Sequence, residues 1–83
     1  MSDSPSQRIL IAEDDLEIRT ALQRILSYEG YTVETAEDGA TALEALLRYE
    51  PDLVILDVMM PFVDGLVVCR RMRARGDRTP VLM

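Results

Sequence analysis

Eighty-three residues, 48% hydrophobic and 29% charged with a formal net charge of −6, describe one small globular unit. They exclude a disordered chain and a general affinity for nucleic acid. All nine basic residues are arginine, and the absence of histidine and lysine excludes imidazole catalysis, histidine metal ligation and lysine chemistry within these residues.

Residues 1–7 are polar, lack the apolar core of a signal peptide and read as a disordered tail. Arg8 to Ala12 is a buried-strand candidate that runs into Glu13, Asp14 and Asp15. A helix is predicted to follow, with Asp14 and Glu17 as a capping box, Ile18, Leu22, Ile25 and Leu26 as its apolar stripe, and Gly30 as its stop. Tyr31 to Ala36 alternates weakly and predicts an edge strand. Asp38-Gly39 marks a turn. Ala40 to Tyr49 carries Leu43, Leu46 and Leu47 at helical spacing, and Pro51 forbids its continuation. Leu53 to Leu56 is an unbroken apolar run between breakers, the pattern of a strand buried on both faces. It ends in Asp57. Met59, Met60 and Phe62 read as loop packing. Asp64 is predicted to cap a third helix that runs to about Arg75, with Leu66, Cys69 and Met72 inward. Thr79 to Met83 begins a fourth strand. Arg70, Arg71, Arg73, Arg75 and Arg78 form a basic cluster that reads as a solvated face.

The order β-α-β-α-β-α-β predicts a doubly wound parallel sheet with right-handed crossovers. The single Cys69 cannot form an internal disulfide, which agrees with a reducing cytosol. No apolar stretch approaches the ~20 residues of a membrane span, so the expectation is a cytoplasmic protein with no membrane partner.

Two strands end in acids. In a 2-1-3-4 strand order the first and third are neighbours, and Glu13, Asp14 and Asp57 crowd one crevice at the point where ligands bind in such sheets. Carboxylates ~4 Å apart repel by roughly 4 kcal/mol at an effective dielectric of about 20. Either one acid titrates upward or a cation sits there. Hard oxygen ligands without a preformed cage suit Mg²⁺, and an aspartate beside Mg²⁺ is a nucleophile towards phosphorus. Against this, Asp14 also fits a plain N-cap, Glu13-Asp14-Asp15 a solvated turn, and Asp57 a loop acid satisfied by backbone amides.

Ile9-Leu10-Ile11-Ala12-Glu13-Asp14-Asp15, followed by Leu53-Val54-Ile55-Leu56-Asp57-Val58-Met59-Met60-Pro61-Phe62-Val63-Asp64-Gly65, resembles the receiver domain of two-component response regulators. The likeness runs from about Arg8 to Met83. It implies a flavodoxin-like fold, a signalling domain rather than an enzyme, and a sensor histidine kinase as partner. It implies Asp57 as phosphoacceptor and Asp14 and Asp57 as Mg²⁺ ligands. Glu13 would act through water, and the Met59 backbone carbonyl would be the third protein ligand. The style of the motif is similar to the subfamily whose receivers precede a winged-helix DNA-binding domain, which implies control of transcription and DNA contact only through a domain outside residues 8–83. The family's strand-four hydroxyl, its strand-five lysine, and its fourth helix, fifth strand and fifth helix have no counterpart here. The expectation is therefore a C-terminally truncated receiver over 8–83 that is poorly phosphorylated and self-associates.

Three other classes compete with this reading. An aspartate-nucleophile phosphatase of the haloacid dehalogenase type wants a second Asp two residues after the nucleophile, where Met59 stands. A pseudo-receiver, an interaction module that takes no phosphate, is disfavoured by the intact acidic set. Nucleotide binding lacks both G-x-G-x-x-G and G-x-x-x-x-G-K.

Overall fold

Ile9-Leu10-Ile11-Ala12 and Leu53-Val54-Ile55-Leu56 contain no polar side chain, and they become the two central strands of one sheet. The computed structural model describes residues 7–83. In chain order the elements are β1 (Arg8–Ala12), α1 (Leu16–Tyr28), β2 (Thr32–Ala36), α2 (Gly39–Tyr49), β3 (Leu53–Leu56), α3 (Gly65–Ala74) and β4 (Val81–Leu82). The strands are all parallel in the order β2-β1-β3-β4, as the alternation predicts. The tail predicted over 1–7 lies outside the described residues except for Gln7, whose carbonyl accepts from the Thr32 amide at 2.9 Å and lengthens the β1–β2 pairing.

Side chains alternate across a strand, so each central strand serves both faces. Leu10, Ala12, Val54 and Leu56 form one continuous cluster with Ala42, Ala45 and Leu46 of α2, Val68 and Met72 of α3, and Met60. Ile9 and Ile11 point to the opposite face, paired in register with Leu53 and Ile55. Here α1 lies mainly over β1 and β2. It buries no residue fully: Leu22 and Leu26 are half-buried, while Ile18 is 49% and Ile25 59% exposed. The predicted stripe exists, but the sheet beside it is covered on one side of the helix alone. An apolar groove of about 220 Å³ remains, lined by Ile9, Leu26, Leu53, Ile55 and Leu82 among others.

Three expectations need correction. Leu66 is 48% exposed, and Val68 takes the inward position with Met72. Asp64 caps α3 through the Val67 amide at 2.9 Å, which sets a phase placing Gly65, Val68 and Met72 on the buried line and Leu66 beside it. Met59 and Phe62 do not pack: only Met60 of the three is buried, and Phe62 is fully exposed. The N-cap of α1 is Asp15, not Asp14. Asp15 Oδ1 accepts from the Glu17 and Ile18 amides at 2.9 and 3.1 Å.

The turn after α3 is fixed by Asp77, whose carboxylate accepts from the Thr79 hydroxyl at 2.6 Å and the Thr79 amide at 3.0 Å. These bonds hold its carboxyl below the usual carboxylate range, against the opposing effect of burial, with Arg75 and Arg73 adding to the lowering. A lowered folded pKa means stability that is present above the ordinary aspartate value of about 3.9 and lost as pH falls through the folded value. Asp77→Ala should cost about 1 kcal/mol at neutral pH. The loss should shrink below pH ~4, where the wild-type carboxylate is itself being protonated. Denaturant melts at both pH values check this.

Candidate metal and phosphoacceptor site

The pairing that builds the sheet also builds the site. Ala12 of β1 lies in register with Leu56 of β3, so the next residue of each chain segment leaves the sheet at the same edge. The ladder runs one step further on both sides. The Asp57 amide donates to the Ala12 carbonyl at 2.9 Å, and the Glu13 amide to the Ala36 carbonyl at 3.0 Å. Glu13 and Asp57 are thereby held by backbone bonds at the carboxyl ends of adjacent strands.

Asp14 follows Glu13 in the short turn before α1. Because Asp15 performs the capping, the Asp14 carboxylate is not spent on the helix terminus. Glu13, Asp14 and Asp57 each offer a carboxylate oxygen such that all three lie within 4.8 Å of one another, with Asp14 exposed and the other two half-buried. Among the described residues this is the one such group of potential metal ligands. Glu13 Oε2 also accepts from the Asp15 amide at 3.1 Å, and Asp57 Oδ1 from the Met59 amide at 3.1 Å. Arg19 donates to the Glu13 carbonyl, not its carboxylate, and so fixes the turn without neutralising the cluster.

The Glu13 carboxyl is pushed above its ordinary value. Burial is the largest cause, and the neighbouring Asp57 and Asp14 carboxyls add to it, while the Asp15 amide opposes. This is the behaviour of an acid crowded by others in a partly desolvated crevice. The donor set suits Mg²⁺: hard oxygens only, three carboxylates, and one side open to water and phosphate oxygens. No nitrogen or sulfur ligand that would favour zinc contributes. A shallow apolar cleft lined by Asp14, Met59, Met60, Pro61 and Leu66, among others, opens beside the acids.

The four residues implied by the sequence are therefore near one another, with Met59 joined to Asp57 by its amide. Two glycines support the site: Gly65, which the family resemblance marks as shaping the loop, and Gly39, which sequence reasoning placed only in a turn. A Cβ on Gly65 would sit 2.5 Å from the Asp57 carbonyl oxygen, and a Cβ on Gly39 would lie 2.8 Å from both the carbonyl carbon and the Cβ of Val63. Asp38-Gly39 and Asp64-Gly65 share the order of cap then glycine, the one sequence signal that pairs them.

Comparison with known proteins agrees with this geometry. The chain is 53% identical over 78 residues to the response regulator MprA of Mycobacterium ulcerans, a match covering 94% of this chain and 34% of that protein. It is 53% identical over 76 residues to MprA of Mycobacterium leprae, covering 92% and 33%. The chain thus spans about a third of the length of these curated relatives. Among solved structures, the Vibrio cholerae chemotaxis protein CheY4 superposes with a TM-score of 0.90 at 33% identity, covering 95% of this chain and 68% of that one. The Thermotoga maritima response regulator TrrA, solved in complex with Mg²⁺ and BeF, gives 0.85 at 39%, covering 90% and 65%. The family described as the response regulator receiver domain matches residues 9–83, and with relatives of this identity across the same span, the chain belongs to that family: it is a receiver domain of a two-component response regulator.

Proposed function

We propose that Asp57 is the phosphoacceptor of this receiver and that Asp14, Asp57 and the Met59 carbonyl hold Mg²⁺ directly, with Glu13 acting through a water. The observation that carries the reading is the convergence of three carboxylates at the ends of β1 and β3. A carboxylate oxygen of Asp57 attacks the phosphorus of a phosphohistidine on a sensor kinase. The phosphorus–nitrogen bond breaks, and the imidazole leaves with the electron pair and takes up a proton. Bound Mg²⁺ supplies charge neutralisation for the phosphoryl oxygens. Glu13 and Asp14 lie beside the acceptor as the other carboxylates of the proposed metal site, and the Met59 amide holds Asp57 Oδ1 so that its other oxygen is left for the attack. The TrrA complex with Mg²⁺ and BeF supports a Mg²⁺ site in this chain by likeness.

The domain turns over no external substrate in this reading. It switches an output, proposed to be transcription through a DNA-binding domain outside these 83 residues; the response regulators MprA, about three times its length, have room for such a domain. Among the described residues no helix is long and apolar enough to cross a membrane, and the proposed location is the cytoplasm. The 83-residue chain is also proposed to self-associate through the sheet face that α1 leaves uncovered.

Incubating the full-length protein with acetyl phosphate and Mg²⁺, followed by peptide mass spectrometry, tests the central claim. One phosphoryl adduct is expected on Asp57, lost on hydroxylamine treatment and prevented by a chelator. An adduct on another residue, or none, refutes it and leaves a binding module.

A further inference from the structure

Gly39 is buried at the first turn of α2, beside the loop that joins β3 to α3. Its backbone is not in the left-handed region, so glycine is not required there by conformation. It is required by space. A Cβ at this position would overlap the Val63 carbonyl oxygen and come within 2.8 Å of the Val63 carbonyl carbon and Cβ. The carbonyl oxygen and carbon are backbone atoms and the Cβ is bonded directly to the backbone, so none can swing aside as a side-chain tip can. The start of α2 is itself held by Asp38, whose Oδ1 accepts from the Thr41 amide at 2.7 Å.

The loop that meets Gly39 is the one that carries Met59. Its far end is pinned by Gly65, which lies against the Asp57 carbonyl and donates its amide to the Val58 carbonyl at 3.1 Å. Met60 is buried in the core and its amide reaches the Val58 carbonyl at 3.2 Å. Between these anchors the chain makes a tight three-residue turn, with the Val63 amide donating to the Pro61 carbonyl at 2.7 Å and Phe62 at its apex with φ of 65°. A left-handed, fully exposed phenylalanine is an unfavourable conformation that persists only where its surroundings demand it. The demand is visible: the turn sets the Val63 carbonyl flat against Gly39.

We propose that Gly39 is a positioning residue for the site, a stop on α2 against which the β3–α3 loop rests so that the Met59 carbonyl is held beside Asp57. The inference rests on the Mg²⁺ site proposed above. A methyl group on Gly39 displaces Val63, and with Asp57 tied to the sheet at Ala12 and Gly65 tied to the Val58 carbonyl, the displacement falls on the segment from Met59 to Phe62.

The test is a Mg²⁺ titration of the protein followed by amide NMR, on wild type, Gly39→Ala and Leu46→Ala. Leu46 is a buried residue further along α2, away from the loop, so its truncation lowers stability without touching Val63. Gly39→Ala is expected to weaken Mg²⁺ binding by about 10–100-fold, the range for partners that orient a metal ligand. It should also move the amide resonances of Met59 to Val63 before metal is added. Leu46→Ala should melt earlier yet bind Mg²⁺ as wild type does. Equal affinity of Gly39→Ala and wild type overturns the proposal, as does a matching loss in Leu46→Ala, which would mark a purely structural effect. If wild type itself binds no Mg²⁺, the metal reading fails and this inference with it. Should Gly39→Ala not fold, Phe62→Pro serves instead. Proline holds φ at about −65° and cannot make the left-handed turn, so Val63 leaves Gly39 while the replaced side chain, fully exposed, takes nothing from the core. Mg²⁺ affinity should fall several-fold, and unchanged affinity in that variant overturns the proposal.

Discussion

Asp57→Asn should abolish acyl-phosphate formation, weaken Mg²⁺ binding by at least about tenfold, and yet raise the melting temperature of the metal-free protein at neutral pH. Asparagine keeps the shape of the side chain and the oxygen that accepts from the Met59 amide. What it loses is the negative charge and the nucleophilic oxygen. Tenfold in affinity is about 1.4 kcal/mol, small beside the attraction between a dication and a carboxylate at contact distance. The gain in stability follows from Glu13. Its carboxyl is raised, with burial first among the causes and Asp57 contributing through both a hydrogen bond and its charge. A raised folded pKa means that the folded state binds the proton more tightly than the unfolded one. Stability is then greatest below the unfolded value and falls as pH rises through the folded one. Removing Asp57 removes part of that loss. The variant's advantage should therefore be present at pH 7 without metal, shrink as pH falls below the raised Glu13 value, and reverse when Mg²⁺ is added. Melting curves under these three conditions check it. A destabilised variant at pH 7 without Mg²⁺ would mean that the three carboxylates do not crowd one another.

Dilution should reveal the second large effect. The 83-residue chain is expected to sediment as a dimer or larger species at micromolar concentration. Ile9 and Ile11 are buried, but Leu53 and Ile55 beside them are only half-buried, and Leu82 on β4 is 59% exposed. On the same side α1 presents Ile18 and Ile25 to solvent. Burying a side chain of this type contributes roughly 1.5–3 kcal/mol, and micromolar association requires about 8 kcal/mol, so four or five such residues suffice before the entropic cost of association is met. β4 adds an open edge of two residues, and Pro80 removes only one donor from it. Sedimentation velocity on wild type and on Ile25→Glu combined with Leu82→Glu separates the cases. The double variant should be monomeric. A wild-type chain of 83-residue mass that stays a monodisperse monomer and melts in one sharp transition would refute the prediction.

The parts of the fold that were legible in the sequence are those governed by long apolar runs. Ile9 to Ala12 and Leu53 to Leu56 could only be central strands, and their pairing brought Glu13, Asp14 and Asp57 together. Less legible were choices between near-equivalent neighbours. Asp14 and Asp15 are the same residue type one position apart, and Glu17 completes a capping box with the first. The helix instead begins at Leu16, so that Asp15 reaches the Ile18 amide and Asp14 is left for the site. Leu66 and Val68 are both apolar, and only the phase set by the Asp64 cap decides which is buried. The Gly39–Val63 contact joins positions far apart in the chain, and no local pattern encodes a distance between two backbones. The exposed Phe62 contradicts the usual fate of an aromatic because loop closure, rather than side-chain burial, fixes its position.

The two backbone bonds that extend the ladder past β1 and β3 have a consequence for errors of folding. Asp57 is tied to Ala12 and Glu13 to Ala36, so the acids converge only when all three strands are in their native register. A slip of one residue turns the apolar side chains of a strand to the wrong face and separates the carboxylates in the same step. No mispaired form of this sheet retains a competent site. On the proposed assignment, Mg²⁺ would act as a proofreading signal, because a ligand held only by the native pairing stabilises that pairing alone, by an amount that grows with the logarithm of its concentration.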